Sequence, residues 1–288
     1  MKPAPTAAPS ESGCLYLVAT PIGNLEDITV RALRLLGEVD LIACEDTRQT
    51  AKLLQHYGIR NQMISYHEHN EMTRSAELVI KIGQGERVAL VSDAGTPMIS
   101  DPGHHLVSLC LRHYLPVIPI PGPSALIAAL TASGLPVKEF LFLGFLPSRT
   151  GQRRKLLKQL AHEHRTMVFY EAPHRLAETL ADALDHFGRR PAVIAREVTK
   201  LHEEFLREDL AELLVRVRRH PPRGEKTLLI GGAEPGEPQV ALPSEPLHVR
   251  VEQIMRDLQV DRKAALKAAA RERGLTKREA YKKLLSDR

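Results

Sequence analysis

The chain has 288 residues, of which 43% are hydrophobic and 26% charged, a composition that predicts a soluble globular protein of about two domains. No apolar run is long enough to cross a membrane, and the first dozen residues lack the basic start and apolar core of a signal peptide. The three cysteines, Cys14, Cys44 and Cys110, are widely spaced within or beside apolar stretches. This pattern predicts buried thiols in a reducing compartment, and hence a cytoplasmic location.

The net charge of +5 is concentrated near the carboxyl end of the chain. Residues 248–288 hold 12 Lys and Arg against 6 Asp and Glu, whereas the remainder holds 28 against 29. A basic appendage on a neutral body is typical of a module that binds a polyanion by displacing counterions from phosphates. A solvated helical bundle with a lysine-rich face would give the same charge, so composition leaves both interpretations open.

Apolar runs alternate with amphipathic segments in the first half of the chain, after a Pro-, Ala- and Ser-rich stretch at 1–13 that is predicted to be disordered. The predicted strands are 15–19, 41–44, 63–65, 88–91 and 117–120. The predicted helices are 28–37, 47–57, 72–83, 102–114 and 123–133. This βα repeat predicts a largely parallel sheet covered on both faces, in an amino-terminal α/β domain at 14–121.

A second α/β domain is predicted at 122–232. Its predicted strands are 140–145, 167–171, 192–196, 202–207 and 227–230. Its later predicted helices are 150–162, 174–187 and 209–219. A Pro- and Gly-rich linker at 233–246 then leads to a basic helical domain at 247–288.

The basic domain is predicted to contain three helices, at 247–258, 262–273 and 277–285. Gly274 fits a helix stop, and Thr276 with Glu279 fits a capping box for the last helix. Three short helices with a tight turn before a basic final helix are typical of a helix-turn-helix-like fold.

Three turns rich in Gly and Pro follow predicted strands of the first half. They are Pro21-Ile22-Gly23-Asn24, Ser92-Asp93-Ala94-Gly95-Thr96-Pro97 and Ile120-Pro121-Gly122-Pro123-Ser124-Ala125. Because the carboxyl ends of parallel strands meet at one edge of a sheet, these turns predict one ligand pocket. Any single turn could serve only as punctuation, but the three together favour the pocket.

Polar blocks follow three other strands, at 45–48, 67–71 and 170–175. The first could supply a helix cap through its Asp and Thr just as well as a functional group. The second contains two imidazoles, which a cap does not require. In the third, Glu171 could simply pair with Arg175 across one helical turn.

Several common chemistries are disfavoured by the motifs. The sequence contains no G-x-x-x-x-G-K-[ST], G-x-G-x-x-G, G-x-S-x-G or C-x-x-C motif. The tightest histidine clusters, His67-Glu68-His69 and His162-Glu163-His164, do not have H-E-x-x-H spacing and lack a nearby cysteine. We therefore expect no metal site, P-loop or ordinary dinucleotide site.

The strand-end motifs resemble those of the ribosomal RNA small subunit methyltransferase I family, within the tetrapyrrole methylase superfamily. The resemblance is carried, in order, by residues 17–25, 45–48, 92–97, 120–125 and 170–175, and it extends from about residue 14 to the end. It implies two α/β domains with S-adenosylmethionine in the cleft between them, and a small all-α carboxyl-terminal domain. It also implies a homodimer that methylates a cytidine ribose 2′-hydroxyl in the decoding region of 16S rRNA, in free rRNA or in the small ribosomal subunit.

The resemblance also assigns roles to residues. The implied cofactor positions are Pro21, Gly23, Ser92, Asp93, Ala94, Gly95, Thr96, Gly122, Pro123, Ser124, Ala125, Gly231 and Gly232, the last two near the adenine. The second loop departs from the Gly-Asp-Pro usual in tetrapyrrole methylases, which favours the ribosomal branch.

Two further groups of candidates follow from the chemistry. A ribose hydroxyl needs a group that draws its proton away. The candidates for that role are Glu45, Asp46, His67 and Glu171. The candidates for RNA contact are Arg48, Arg149 and Arg175 at loop starts, and Lys277, Arg278, Lys282 and Lys283 in the tail.

Two other functions stay open from the sequence. One is a small-molecule methyltransferase of the same fold that acts on a tetrapyrrole. The other is a non-catalytic RNA-binding ribosome-assembly factor, which binding of S-adenosylmethionine would argue against.

Overall fold

The computed structural model describes residues 13–220, 224, 226–234, 247–258, 261–272 and 280. The chain divides into two compact units, Met1–Ala233 and Glu234–Arg288. The predicted disordered stretch, most of the predicted linker and nearly all of the predicted third helix lie outside the described residues. The same holds for four candidate RNA ligands, namely Lys277, Arg278, Lys282 and Lys283.

The first sheet has five strands, and every pairing in it is parallel, as predicted. In chain order the strands are β1 (Cys14–Val18), β2 (Leu41–Cys44), β3 (Met63–Ser65), β4 (Arg87–Val91) and β5 (Val117–Ile120). Their spatial order is β3-β2-β4-β1-β5. The carboxyl ends of all five strands therefore lie at one edge.

Helices cover both faces of the first sheet. They are α1 (Val30–Glu38), α2 (Thr47–His56), α3 (Glu71–Gly83) and α4 (His104–Arg112). Leu36 of α1 and Leu54 of α2 share an apolar cluster on one face, while Leu78 of α3 and Leu106 of α4 belong to the cluster on the other. Burial on both faces explains why these strands read as continuous apolar runs rather than as alternating patterns.

The second sheet is mixed and has the spatial order β6-β7-β10-β8-β9. Its strands are β6 (Phe140–Phe145), β7 (Thr166–Glu171), β8 (Pro191–Arg196), β9 (Glu204–Asp209) and β10 (Lys226–Ile230). Only β6 and β7 pair in parallel, whereas β10 runs antiparallel to both β7 and β8, and β9 antiparallel to β8. The amino end of β10 therefore lies beside the carboxyl ends of β7 and β8.

Four helices enclose this second sheet. One face packs against α5 (Ala125–Ala132), and the other packs against α6 (Thr150–Gln159), α7 (Leu176–Phe187) and α8 (Leu210–Arg219). Between α6 and α7, the buried Arg153 donates from Nε to Asp182 at 2.7 Å, and Arg154 donates to the same carboxylate at 2.6 Å. This charged contact contrasts with the apolar packing around the first sheet.

The carboxyl-terminal unit contains α9 (Leu247–Leu258) and α10 (Arg262–Glu272) in the described residues. Val251 and Ile254 of α9 pack with Leu266 and Ala269 of α10 in a small apolar cluster. No helix within the described residues is both long and apolar enough to cross a membrane. The three cysteines lie in the other unit, where they are buried and free, as predicted.

A cleft between the two sheets as the candidate active site

A cleft of about 390 Å³ opens where the edges of the two sheets face each other within the first compact unit. The first half lines it with Ile22, Glu45, residues 93–96, 99–101 and residues 124–125. The second half contributes Phe145, Tyr170, Ala195, Glu197, Val198, Lys200, Lys226 and Thr227. All three turns predicted to form one pocket supply lining residues, so they converge on a single site.

Main-chain contacts hold these turns together. Thr20 and Gly95 exchange two backbone hydrogen bonds of 2.9 and 3.0 Å, which join the first turn to the second. The Thr20 hydroxyl also donates to the carbonyl of Ser92 at 3.1 Å. The Thr96 hydroxyl donates to the carbonyl of Pro123 at 3.1 Å, which joins the second turn to the third. The wall is thus held by a network that needs few long side chains.

Six of the predicted cofactor positions line the cleft, namely Asp93, Ala94, Gly95, Thr96, Ser124 and Ala125. Pro21, Gly23, Ser92, Gly122 and Pro123 belong to the same turns but are not among the lining residues. A Cβ on Gly122 would lie 2.8 Å from the Cβ of Ala19, so this glycine allows the third turn to pack against the end of β1. Gly95 has a φ of +85°, a conformation that favours glycine.

The structure does not bring Gly231 and Gly232 to the cleft. They follow the carboxyl end of β10, whereas the residues of β10 that line the cleft, Lys226 and Thr227, lie at its amino end. Gly231 donates its backbone N–H to Pro191 at the start of β8. The expected position near the adenine is corrected accordingly, because β10 runs antiparallel to its neighbours.

Glu45 is the one candidate proton acceptor among the residues that line the cleft. Burial raises the pKa of its carboxyl, and the nearby charge of Asp93 raises it further. Asp93 is held in place by the backbone N–H of Asp46, which donates to its Oδ1 at 3.0 Å. Two carboxylates, those of Glu45 and Asp93, therefore face one cleft from the ends of adjacent strands. The raised pKa makes the carboxylate of Glu45 more basic than that of an ordinary glutamate.

Asp46 caps a helix instead of facing the cleft. Its Oδ1 accepts from the backbone N–H of Arg48 at 2.8 Å at the start of α2, and its Oδ2 accepts from the Arg48 guanidinium at 2.7 Å. These hydrogen bonds lower the pKa of Asp46 to about 2. The Arg48 side chain is 85% exposed, so it remains accessible to a partner.

His67 lies in the turn before α3. Its backbone N–H donates to Oδ1 of Asn70 at 2.9 Å, and its Nε2 lies 3.2 Å from the Asn70 amide nitrogen. The ring meets that of His69 edge to face, with centroids 5.9 Å apart. The charge of His67 lowers the pKa of Glu45, which places it close to the cleft wall although it does not line the cavity.

Glu171 and Arg175 form the internal pair that the sequence left open. Glu171 is fully buried, accepts from the Thr179 hydroxyl at 2.6 Å and lies 3.3 Å from Nε of Arg175. Arg175 also donates to the carbonyl of Leu146 at 2.5 Å. Side chains alternate along β7, so Tyr170 faces the cleft and Glu171 faces α7. Neither member of the pair lines the cleft, so the expectation that Glu171 accepts a proton there is corrected, whereas contact of Arg175 with RNA stays a prediction.

Sequence reasoning missed most of the wall that the second sheet supplies. Lys226 is buried, and its Nζ donates to the carbonyl of Gly224. Lys200 pairs with Glu197 at 3.2 Å, and its aliphatic stem lies where a Cβ of Gly23 would be. A lysine that opens an otherwise apolar strand was the available signal for Lys226. Within the described residues, no group of His, Cys, Asp and Glu side chains could hold a metal ion.

Comparison with known proteins identifies the family. The sequence model described as Tetrapyrrole (Corrin/Porphyrin) Methylases matches residues 14–214. The chain is 47% identical over 272 residues to the Ribosomal RNA small subunit methyltransferase I of Halalkalibacterium halodurans, with 94% of each chain covered. It is 48% identical over 270 residues to that of Synechocystis sp., covering 93% of this chain and 96% of the relative. The chain belongs to the tetrapyrrole methylase family.

Solved structures of other tetrapyrrole methylases share the fold. Uroporphyrin-III C-methyltransferase from Thermus thermophilus, complexed with S-adenosylhomocysteine, has 23% identity and a TM-score of 0.54, with 76% of this chain and 97% of that chain covered. Cobalt precorrin-4 methyltransferase has 16% identity and a TM-score of 0.56, with 79% and 98% covered. The expected fold class of two α/β halves is therefore confirmed.

Proposed function

We propose that the protein transfers the methyl group of S-adenosylmethionine to the ribose 2′-hydroxyl of a cytidine in the decoding region of 16S rRNA. The observation that carries the proposal is the identity of 47 to 48%, over more than nine tenths of the chain, to relatives named Ribosomal RNA small subunit methyltransferase I. The cleft supports it with loops, carboxylates and aromatic rings in one cavity.

The residues of the cleft fit S-adenosylmethionine. The cleft has a volume of about 390 Å³, which is in the range of small-molecule sites. The main chain of residues 93–96 and 124–125 would hold polar edges of the cofactor, while carboxylates such as Asp93 suit its ribose hydroxyls and its sulfonium charge. When bound, the cofactor supplies an electrophilic methyl group.

The chain's own contribution is to position the ribose and to accept a proton. Holding the acceptor oxygen in line with the methyl carbon supplies much of the acceleration in such a transfer. A ribose hydroxyl is a weak nucleophile until a base draws its proton away. We assign this role to Glu45, because it lines the cleft and because burial beside Asp93 raises its pKa. Glu45 receives the proton that the ribose oxygen loses on methylation.

The alternative functions are less well supported. Uroporphyrin-III C-methyltransferase shares only 23% identity with the chain, about half the identity of the ribosomal relatives. A non-catalytic assembly factor would have no need for a raised carboxyl pKa in a cleft of this size. The reduced, buried cysteines and an rRNA substrate favour a cytoplasmic location, and family membership favours a homodimer.

The decisive experiment combines donor, acceptor and site. Small ribosomal subunits from cells that lack this methylation are incubated with methyl-labelled S-adenosylmethionine, and the product is digested to nucleosides. We expect label in 2′-O-methylcytidine from one position of the decoding region. Label on a base, on another nucleotide, or on a tetrapyrrole supplied in parallel would contradict the proposal.

The basic tail offers a second test of the RNA substrate. Reversal of charge at Lys277, Arg278, Lys282 and Lys283 should weaken rRNA binding and flatten its dependence on salt, because fewer counterions are released. The affinity for S-adenosylmethionine should stay unchanged in the same titration series. Equal losses of both affinities would contradict this division of labour.

A further inference from the structure

The last strand segment before α6 carries an aromatic ring whose direction is set by a bulge. β6 pairs with β7 through Phe142 and Val168, and the register then shifts so that Phe145 pairs with Tyr170. Gly144 takes up the shift with a φ of +62°. Residues three apart on a regular strand point to opposite faces, and a bulge re-aims the second of them.

As a result, three rings form one cluster beside the cleft. The ring centroid of Tyr170 lies 5.1 Å from that of Phe142 and 5.7 Å from that of Phe145. Phe142 is partly buried in the core, whereas Phe145 is 44% exposed and lines the cleft. The fold therefore presents an aromatic face at the rim, where core packing does not require one.

The chain runs directly from this ring into a basic helix. Arg149 is the amino-terminal cap residue of α6, and the helix contains four further cations and no acidic residue. Arg153 and Arg154 are engaged by Asp182. Arg149, Lys155 and Lys158 are exposed, and none of them forms an ion pair with another residue that the structure describes.

These two features together suit a single-stranded nucleic acid. Bases of RNA that leave a stack are recognised by aromatic side chains, and the adjoining phosphates by Arg and Lys. A ribose that is methylated inside a cleft belongs to a nucleotide drawn out of its stack, which leaves its own or a neighbouring base to be held. The helical rise places Lys155 about 9 Å farther along α6 than Arg149, so these cations lie at increasing distances from the segment that carries the ring.

We propose that the RNA substrate enters along the segment from β6 to α6, with a base stacked on Phe145 and the adjacent phosphates bound by Arg149 and Lys155. This inference rests on the proposed function, since it concerns the nucleotide presented to the same cleft. It names the surface of the α/β unit that binds RNA, separately from the basic tail.

The test compares variants at the two ends of one strand. Phe145→Leu, Arg149→Glu and Lys155→Glu are matched with Lys138→Glu, an exposed lysine that precedes the amino end of β6, away from the cleft. The KM for undermethylated small subunits and the Kd for S-adenosylmethionine, the latter by calorimetry, are measured for each. Phe145→Tyr retains the ring and serves as the conservative variant.

We expect Phe145→Leu to raise the KM for subunits roughly ten-fold, as for the loss of one stacked base. Phe145→Tyr, which keeps a ring, should have a KM close to that of the wild type. Each of the two cation reversals should raise that KM and reduce the salt slope by about one. The Kd for S-adenosylmethionine and the kinetics of Lys138→Glu should not change. The cation variants are at exposed positions, so they test the path even where a substitution at Phe145 impairs folding.

Four outcomes would overturn the inference. An equal loss of S-adenosylmethionine affinity in Phe145→Leu would assign the ring to the cofactor. An equal effect of Lys138→Glu and Arg149→Glu on the KM for subunits would mean that Arg149 contributes only to the general attraction between a basic protein and RNA. Wild-type kinetics in all the variants would remove the path while leaving the proposed function intact, whereas a wild-type protein that methylates no rRNA would end both.

Discussion

The two sheets build the cleft in different ways. The first is wholly parallel, so every strand ends at the same edge and the wall is made of turns that bond to one another through the main chain. The second is mixed, so both strand ends and strand starts lie at its edge, and the wall is made of side chains such as Phe145, Tyr170 and Lys226. The edge of the parallel sheet thus supplies main-chain polar groups and carboxylates to the cleft, and the edge of the mixed sheet supplies aromatic rings and lysine side chains.

The largest expected effect tests whether the proton acceptor belongs to the parallel side. Glu45→Gln should lower kcat by about 10²- to 10⁴-fold, the range for loss of a general base, with little change in the KM for S-adenosylmethionine. Glu197→Gln, on the mixed side of the same cleft, is the matched control and should alter KM more than kcat. A larger kcat loss in the Glu197 variant would break the comparison.

The next effect concerns how each sheet holds its helices. Asp182→Ala removes the buried partner of Arg153 and leaves only Glu178, which lies 3.4 Å away and is 69% exposed, so it should lower the free energy of unfolding by about 3 kcal/mol. In the first sheet, Leu106→Ala should cost about 2 to 5 kcal/mol through loss of apolar packing alone. Urea unfolding at two salt concentrations separates the two mechanisms. A similar salt dependence in both variants would contradict the assignment.

A smaller effect tests the direction of β10. Gly95→Ala places a Cβ at a φ of +85° and 3.3 Å from Ile22, so we expect several-fold weaker binding of S-adenosylmethionine, consistent with a strain of about 1 to 2 kcal/mol. Gly231→Ala changes a residue at the far end of the second sheet and should leave that affinity unchanged. Calorimetry on folded variants measures both. Weaker binding in the Gly231 variant would return that glycine to the site.

The smallest effect is a shift in pH dependence. Glu45 must be ionised to accept a proton, so activity should fall as the pH drops through its raised pKa. Asp93→Asn removes a negative charge that raises this pKa, and the acid limb of kcat should move to lower pH. A limb that stays in place would show that the charge of Asp93 does not act on the group whose ionisation limits the activity.

The sequence sufficed for the strands, the parallel first sheet and the convergence of the three turns, because these depend on local patterns and on chain connectivity. It failed where direction and side-chain facing decide the outcome. The apolar run at 227–230 predicts a strand but not which way it points, and the position of Gly231 and Gly232 near the adenine was expected only from the family resemblance. The connection between β8 and β9 is too short for a crossover helix, which indicates that β9 runs antiparallel to β8. Because α8 then connects β9 to β10, β10 would be expected to run in the direction of β9 and opposite to β8.

Glu171 shows the second limit. A carboxylate at a strand end has the same sequence pattern whether it faces a ligand or a helix, and only the alternation of side chains along β7 directs it toward α7. Glu45 and Asp93 could be named in advance as candidates, but the closeness of their charges depends on the pairing of β2 with β4.

The absence of a side chain at Gly23 has a consequence for the position of Lys200 in the cleft wall. The aliphatic stem of Lys200 occupies the place where a Cβ at this position would stand. A side chain of the second half therefore packs directly against the backbone of the first half. A larger residue there would displace the Lys200 side chain, and with it the ion pair that Lys200 forms with Glu197 in the cleft wall. The position of this cation in the cleft wall therefore depends on the small size of the hydrogen atom that Gly23 carries in place of a side chain.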